Sequence, residues 1–176
     1  MCSGERARAW PARVGAGVNF IVTGVLVLAC AFGLSSAVRA YGASFWAPVL
    51  IGTYAVGLIG AGVFVTDVTG IREEPASNKR GPHAILHDLF SLVVFLSLFA
   101  ACFLFARLFS ISGASGWAAY SAISGILFGV GFILFAQAFA GAGKLTKVSG
   151  LLQRMTIAIG WIWIALVAAH LLDVLR

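Results

Sequence analysis

Acidic side chains are nearly missing from this chain. Its 176 residues include six Asp and Glu, and all charged residues together make up 10%. A water-soluble domain carries about a quarter charged residues, so a soluble globular fold is excluded; the mean hydropathy of +1.01 agrees. Cysteine is also scarce: Cys2, Cys30 and Cys102 make no disulfide framework. Two of them lie inside apolar segments, where a thiol behaves as a small hydrophobe. Short segments of alternating polarity are absent, which argues against a transmembrane β-barrel. Long hydrophilic stretches are absent too, apart from Glu73–Pro82, so there is no room for a second domain.

What the chain has instead is five long apolar stretches: Val14–Val38, Phe45–Val65, Leu89–Phe109, Trp117–Phe139 and Met155–Leu172. Each is about long enough to cross a hydrocarbon core of roughly 30 Å at about 1.5 Å per helical residue. With the adjoining turns they predict helices over about 14–38, 45–67, 86–109, 117–139 and 151–173. The fold class is therefore all-α, a five-helix transmembrane bundle forming one integral membrane domain over residues 1–176. The first stretch exceeds the roughly 7–15 apolar residues of a signal peptide, and it is read as an uncleaved helix. Val27-Leu28-Ala29-Cys30 only faintly resembles a lipoprotein cleavage box, because the apolar run continues past Cys30.

The net charge of +6 does not point to nucleic acid. Basic residues sit in loops and at helix ends, with no basic stripe and no nucleic-acid motif. Their distribution orients the chain. Arg6, Arg8, Arg13, Arg72, Lys79, Arg80, Lys144, Lys147 and Arg154 fall on one side, against Arg39, Arg107 and Arg176 on the other. The positive-inside rule predicts a cytoplasmic N-terminus and a C-terminus outside. The setting is the cell inner membrane or plasma membrane, with membrane lipids as partners.

Glycine is abundant, with 21 residues. Gly57-Leu58-Ile59-Gly60-Ala61-Gly62 lines the second span with small residues, and Gly125 and Gly129 form a small-xxx-small pair on the fourth. Such residues let helix backbones approach closely in lipid. Packing within the chain is the first reading; a homo-oligomer through Gly125 and Gly129 is the second. The Gly57–Gly62 run is no dinucleotide fingerprint, since no strand precedes it.

Polar groups inside spans are costly, so their positions carry information. Asn19, Asp67, His83, His87, Asp88, Gln137, Gln153 and Arg154 all fall near the predicted cytoplasmic ends of their helices. Every helix thus offers a polar side chain to one inner layer. The plain reading is structural: such residues cap helices, pair with each other and mark the headgroup boundary. The functional reading is a binding site for a lipid headgroup or small polar ligand. A third reading is catalytic or metallic: His83 and His87 are four apart and share a helix face, and Asp67 would supply a third ligand. Haem is disfavoured because His87 and His170 belong to opposite ends of the bundle, and no cofactor is expected. A proton path fits poorly, since polar residues do not continue through the membrane middle.

Three segments carry a family likeness. Gly60-Ala61-Gly62-Val63-Phe64-Val65-Thr66-Asp67 resembles a Gly-rich helix ending in Phe-x-x-Asp. His87-Asp88-Leu89-Phe90-Ser91 resembles a His at the start of the next helix, and Gly150-Leu151-Leu152-Gln153-Arg154 resembles a closing Gly-Leu-x-Gln-Arg element. Together they resemble the domain of unknown function 998 family over about Asn19 to Leu172. The resemblance implies a prokaryotic multi-pass membrane protein of uncharacterised role and supplies no substrate. Val68 stands where family members often have Pro. An additional N-terminal helix and a Ser-Glu-Leu-Gly-like segment, common in the family, are not matched, which leaves five helices rather than six.

The expected role is non-enzymatic: binding of a lipid headgroup, small ligand or partner through Asp67, His87, Gln153 and Arg154, with Asn19 and Gln137 in the same layer. Arg154 would take an anionic group by a forked hydrogen bond, and Asp67 would hold Arg154 or His87 in place. The rival is a membrane-embedded hydrolase in which Asp67 and His87 activate water against a lipid ester or amide. The orientation is checked in intact cells: a cysteine placed at Ser77 should resist impermeant thiol reagents and one at Ser112 should react. The opposite pattern reverses the topology.

Overall fold

The computed structural model describes residues 3–40, 45–64, 81–141 and 143–174. They form α1 (Ser3–Ala40), α2 (Trp46–Val63), α3 (Pro82–Ile111), α4 (Ser115–Phe139) and α5 (Ser149–Val174), with a 3-10 turn over Gly143–Val148 leading into α5. All five α-helices contain a segment long and apolar enough to cross a membrane, and the described residues contain no strand. The helices are apolar on all sides, as expected where lipid covers whatever protein does not.

Helix ends follow local chemistry. α3 starts at Pro82, four residues before the expected position, because a proline at the first helical position loses no hydrogen bond and arrives with its φ already set. α2 stops at Val63 rather than at residue 67. Phe64 leaves helical geometry at φ −98° and ψ 46° while its N–H still reaches Gly60 O. Glycines at 57, 60 and 62 weaken that last stretch. Gly113, at φ 80°, makes the tight α3–α4 turn that a side chain would strain.

Neighbours in sequence pack antiparallel, and glycine marks each seam. A Cβ on Gly62 would lie 2.8 Å from Gly17 O on α1, and one on Gly24 would lie 2.8 Å from Ala55 O on α2. Gly57 faces Val94 and Gly60 faces the Phe90 ring, joining α2 to α3. Gly125 and Gly129 receive Cys102, Phe103 and Phe99 of α3, so both glycines are occupied within the chain. Gly131 lies over Thr156 and joins α4 to α5; Gly160 lies on Leu98 and Phe128, bringing α5 against α3 and α4.

The core gathers around α3, which supplies the largest share of its buried residues, and Trp163 of α5 is set into it. Trp163 is fully buried, meets Phe105 edge-on at 5.5 Å, and donates its indole N–H to Ser121 Oγ at 3.1 Å. Trp161, two residues earlier, donates to Tyr54 Oη on α2 at 2.8 Å. Both indoles bridge helices, as mid-span tryptophans should when their N–H groups need partners.

The α1–α2 seam is directly testable. Gly24→Ala and Gly62→Ala press a methyl into facing backbone and should each cost about 1–3 kcal/mol. Gly52→Ala, whose Cβ would find nothing closer than Leu28 Cδ1 at 4.0 Å, should be close to neutral. Melting temperatures in detergent read the difference.

Candidate functional site

His87 sits in the second turn of α3, where the start at Pro82 places it beside the last turn of α2. Its Nδ1 lies 3.1 Å from Ala61 O. A carbonyl only accepts, so Nδ1 carries the proton and donates. Neutral His87 therefore keeps its lone pair on Nε2. The contact serves a carbonyl in the last turn of a helix, where intrahelical partners run out. It also ties two segments far apart in sequence, the Gly-rich end of α2 and the His-Asp start of α3. An aromatic group flanks the tie: Phe64 stacks on Phe90 at 5.7 Å, and the His83 ring lies 5.7 Å from Phe64.

The other layer members share this end of the bundle. Asn19 lies beside the Gly17–Gly62 crossing, Gln137 follows Phe135, which stacks on Phe95, and Gln153 precedes Thr156, which lies under Gly131. Their side chains do not turn toward one centre. Asn19, Gln137 and Arg154 are exposed, as are His83 and Asp88, while His87 and Gln153 are half-buried. No hydrogen bond or ion pair joins Asn19, Gln137, Gln153 and Arg154 among the described residues. Asp67 lies outside the described residues, and with it both the expected pairing to Arg154 and the third member of the His83, His87 and Asp67 set. No three His, Cys, Asp or Glu side chains lie together among the described residues.

The opposite end holds a histidine that the pattern of residues alone did not single out. His170 stacks on Trp117 at 4.3 Å with a 15° interplanar angle and lies 5.6 Å from the Phe109 ring. Its Nε2 is buried with no hydrogen-bond partner among the described residues. Nothing in the spacing of residues 109, 117 and 170 announces this cluster, because three different helices supply it.

Comparison with known proteins supports the three-segment likeness. The profile of a family described as protein of unknown function (DUF998) matches residues 10–170. The chain belongs to this family. No curated protein and no solved structure matches it. Two family-like segments meet at the His87–Ala61 hydrogen bond, and the third, Gly150–Arg154, opens α5 at the same end. With five span-length helices, this DUF998 chain is a multi-pass membrane protein.

The two site residues with the clearest surroundings should respond differently to truncation. His87→Ala removes the tie to Ala61 O and should lower stability by about 1 kcal/mol. Arg154→Ala removes an exposed side chain without an ion-pair partner among the described residues and should change stability by less than about 0.5 kcal/mol. Thermal unfolding in one detergent compares them.

Proposed function

We propose that this chain is a non-enzymatic protein of the inner or plasma membrane that holds an anionic headgroup at the His87 end of its bundle. That end faces the cytoplasm in this reading, as the excess of Lys and Arg requires. The observation that carries it is Arg154: exposed in the second turn of α5, with no ion-pair partner among the described residues, next to half-buried Gln153. A guanidinium at that depth offers a forked pair of donors to a phosphate or carboxylate. Lys147, exposed on the preceding 3-10 turn, adds a second positive charge.

The outward exposure of Asn19, Gln137 and Arg154 favours a ligand that arrives from the lipid layer over one enclosed between helices. A headgroup fits that approach, because its phosphate already lies at the depth where spans end. Gln153 donates and accepts beside Arg154. His87 holds α2 against α3 and keeps this end of the bundle in shape, and Asp67 is assigned to the same site as a positioning group.

The test uses delipidated protein in neutral detergent, with phosphatidylglycerol or phosphatidylcholine added and bound lipid counted by native mass spectrometry. Arg154→Gln should reduce phosphatidylglycerol binding about fivefold, since one cation near anionic lipid is worth about 1 kcal/mol, and leave phosphatidylcholine unchanged. Equal binding by the variant and the parent chain overturns the reading. Stoichiometric zinc that disappears in His87→Ala would favour the hydrolase reading instead.

A further inference from the structure

At the other end of the bundle, a groove runs along the α1–α2 seam. A Cβ on Gly62 or Gly24 would press into the facing helix, whereas one on Gly52 would find only Leu28 Cδ1 at 4.0 Å, and Gly33 has nothing within 4 Å. The helices are drawn together at the Gly17–Gly62 crossing; toward Arg39 they keep Leu34, Val38, Ala47 and Ile51 buried in the core but leave the seam open along one side. That opening is a groove of about 380 Å³, with Leu28 and Phe32 on one wall and Val49 and Gly52 on the other. Arg39 is its one charged lining residue. Ser35, the one neutral polar side chain in the lining, donates its hydroxyl to Phe32 O and offers no donor to a guest.

We infer that this groove is a second lipid site, holding one acyl chain of an anionic phospholipid whose phosphate rests on Arg39. Three observations select that occupant over bulk lipid. The stretch from Leu28 to Arg39 is about 16 Å long at about 1.5 Å per residue, close to half of a roughly 30 Å hydrocarbon core. One acyl chain of one leaflet thus spans the groove from headgroup depth to the midplane. Next, Arg39 is exposed at the groove's outer end and has no ion-pair partner among the described residues. Finally, α2 begins at the same end with no side-chain cap and no acidic residue in its first turn, so the positive end of its dipole adds to the charge of Arg39. An apolar channel leading to a concentrated positive charge is complementary to an alkyl chain ending in a phosphate. The site is independent of the one proposed at Arg154: it lies at the opposite end of the bundle and faces the opposite leaflet.

The experiment again counts bound lipid on the delipidated full chain, with Arg154→Gln as the background so that the first site is weakened. Phosphatidylglycerol should remain bound in preference to phosphatidylcholine. Arg39→Gln should cut phosphatidylglycerol binding about fivefold and Arg39→Lys should restore most of it. Gly52→Leu, which puts a side chain into open groove, should lower binding of both lipids by a similar factor. Val49→Trp is a second obstruction should Gly52→Leu not fold, and each variant is required to melt within a few degrees of its background. The proposal is overturned if Arg39→Gln binds as its background does. It is also overturned if obstruction leaves binding intact, since the chain then lies elsewhere, or if inorganic phosphate competes as well as lipid.

Discussion

Helices already surrounded by hydrocarbon gain little by exchanging lipid for another apolar helix, so this bundle depends on how closely its backbones can approach. Dispersion contacts fall off within a fraction of an ångström, and a missing Cβ is what admits a neighbour to the optimum. Gly62 against Gly17 O, Gly57 against Val94, Gly125 against Cys102 and Gly131 against Thr156 repeat this device between successive helices. Polar contacts are few by comparison. The Trp163–Ser121 and Trp161–Tyr54 hydrogen bonds fix the rotation of α5 against α4 and α2, and each satisfies an indole N–H that would otherwise stand unpaired in apolar surroundings.

The same constraint explains the character of the His87 end. Once glycine has drawn α2 onto α3, the last carbonyls of α2 are brought beside the first turns of α3, and a histidine at residue 87 can serve Ala61 O. The glycine run and the histidine are thus one structural unit in which close packing sets up the hydrogen bond. Arg154 and Gln153 stand apart from that unit. They are carried to the same end by the antiparallel order of α3, α4 and α5 and by the 3-10 turn before α5, without being packed into it.

The number, order and approximate extent of the spans were legible because each is an uninterrupted apolar run about as long as the hydrocarbon is thick, a property of local composition alone. The layer of polar residues was legible as a depth for the same reason. Direction around each helix was not. A helix in water betrays its buried face by periodicity, whereas α1 to α5 are apolar on every side, and no pattern marks which face of α4 carries Gln137 or which face of α1 carries Asn19. Gly125 and Gly129 illustrate the limit: their spacing announces a close contact but does not say with which helix, and α3 fills it. His170 lies beyond sequence reading for a related reason, since Phe109, Trp117 and His170 meet only once three helices are assembled.

An unequal distribution of small residues along one seam has a geometric consequence. Where α1 and α2 each present glycine to the other's backbone, at Gly17 with Gly62 and at Gly24 with Ala55, the helices touch; where Leu28 meets Gly52, only a methyl bridges the gap, and beyond it Phe32 and Phe45 are exposed. The two helices stay packed there through buried Leu34, Val38, Ala47 and Ile51, and the seam is left open along one side. The resulting cleft is lined mainly by hydrocarbon side chains and opens beside Arg39, near the end of α1. It cannot fill with water at midplane depth, because its walls offer water no partners, and it cannot stay empty, because every wall atom would forgo its dispersion contacts. Chain matter from the surrounding leaflet is what remains, and the charge at the cleft's mouth decides which headgroup comes with it.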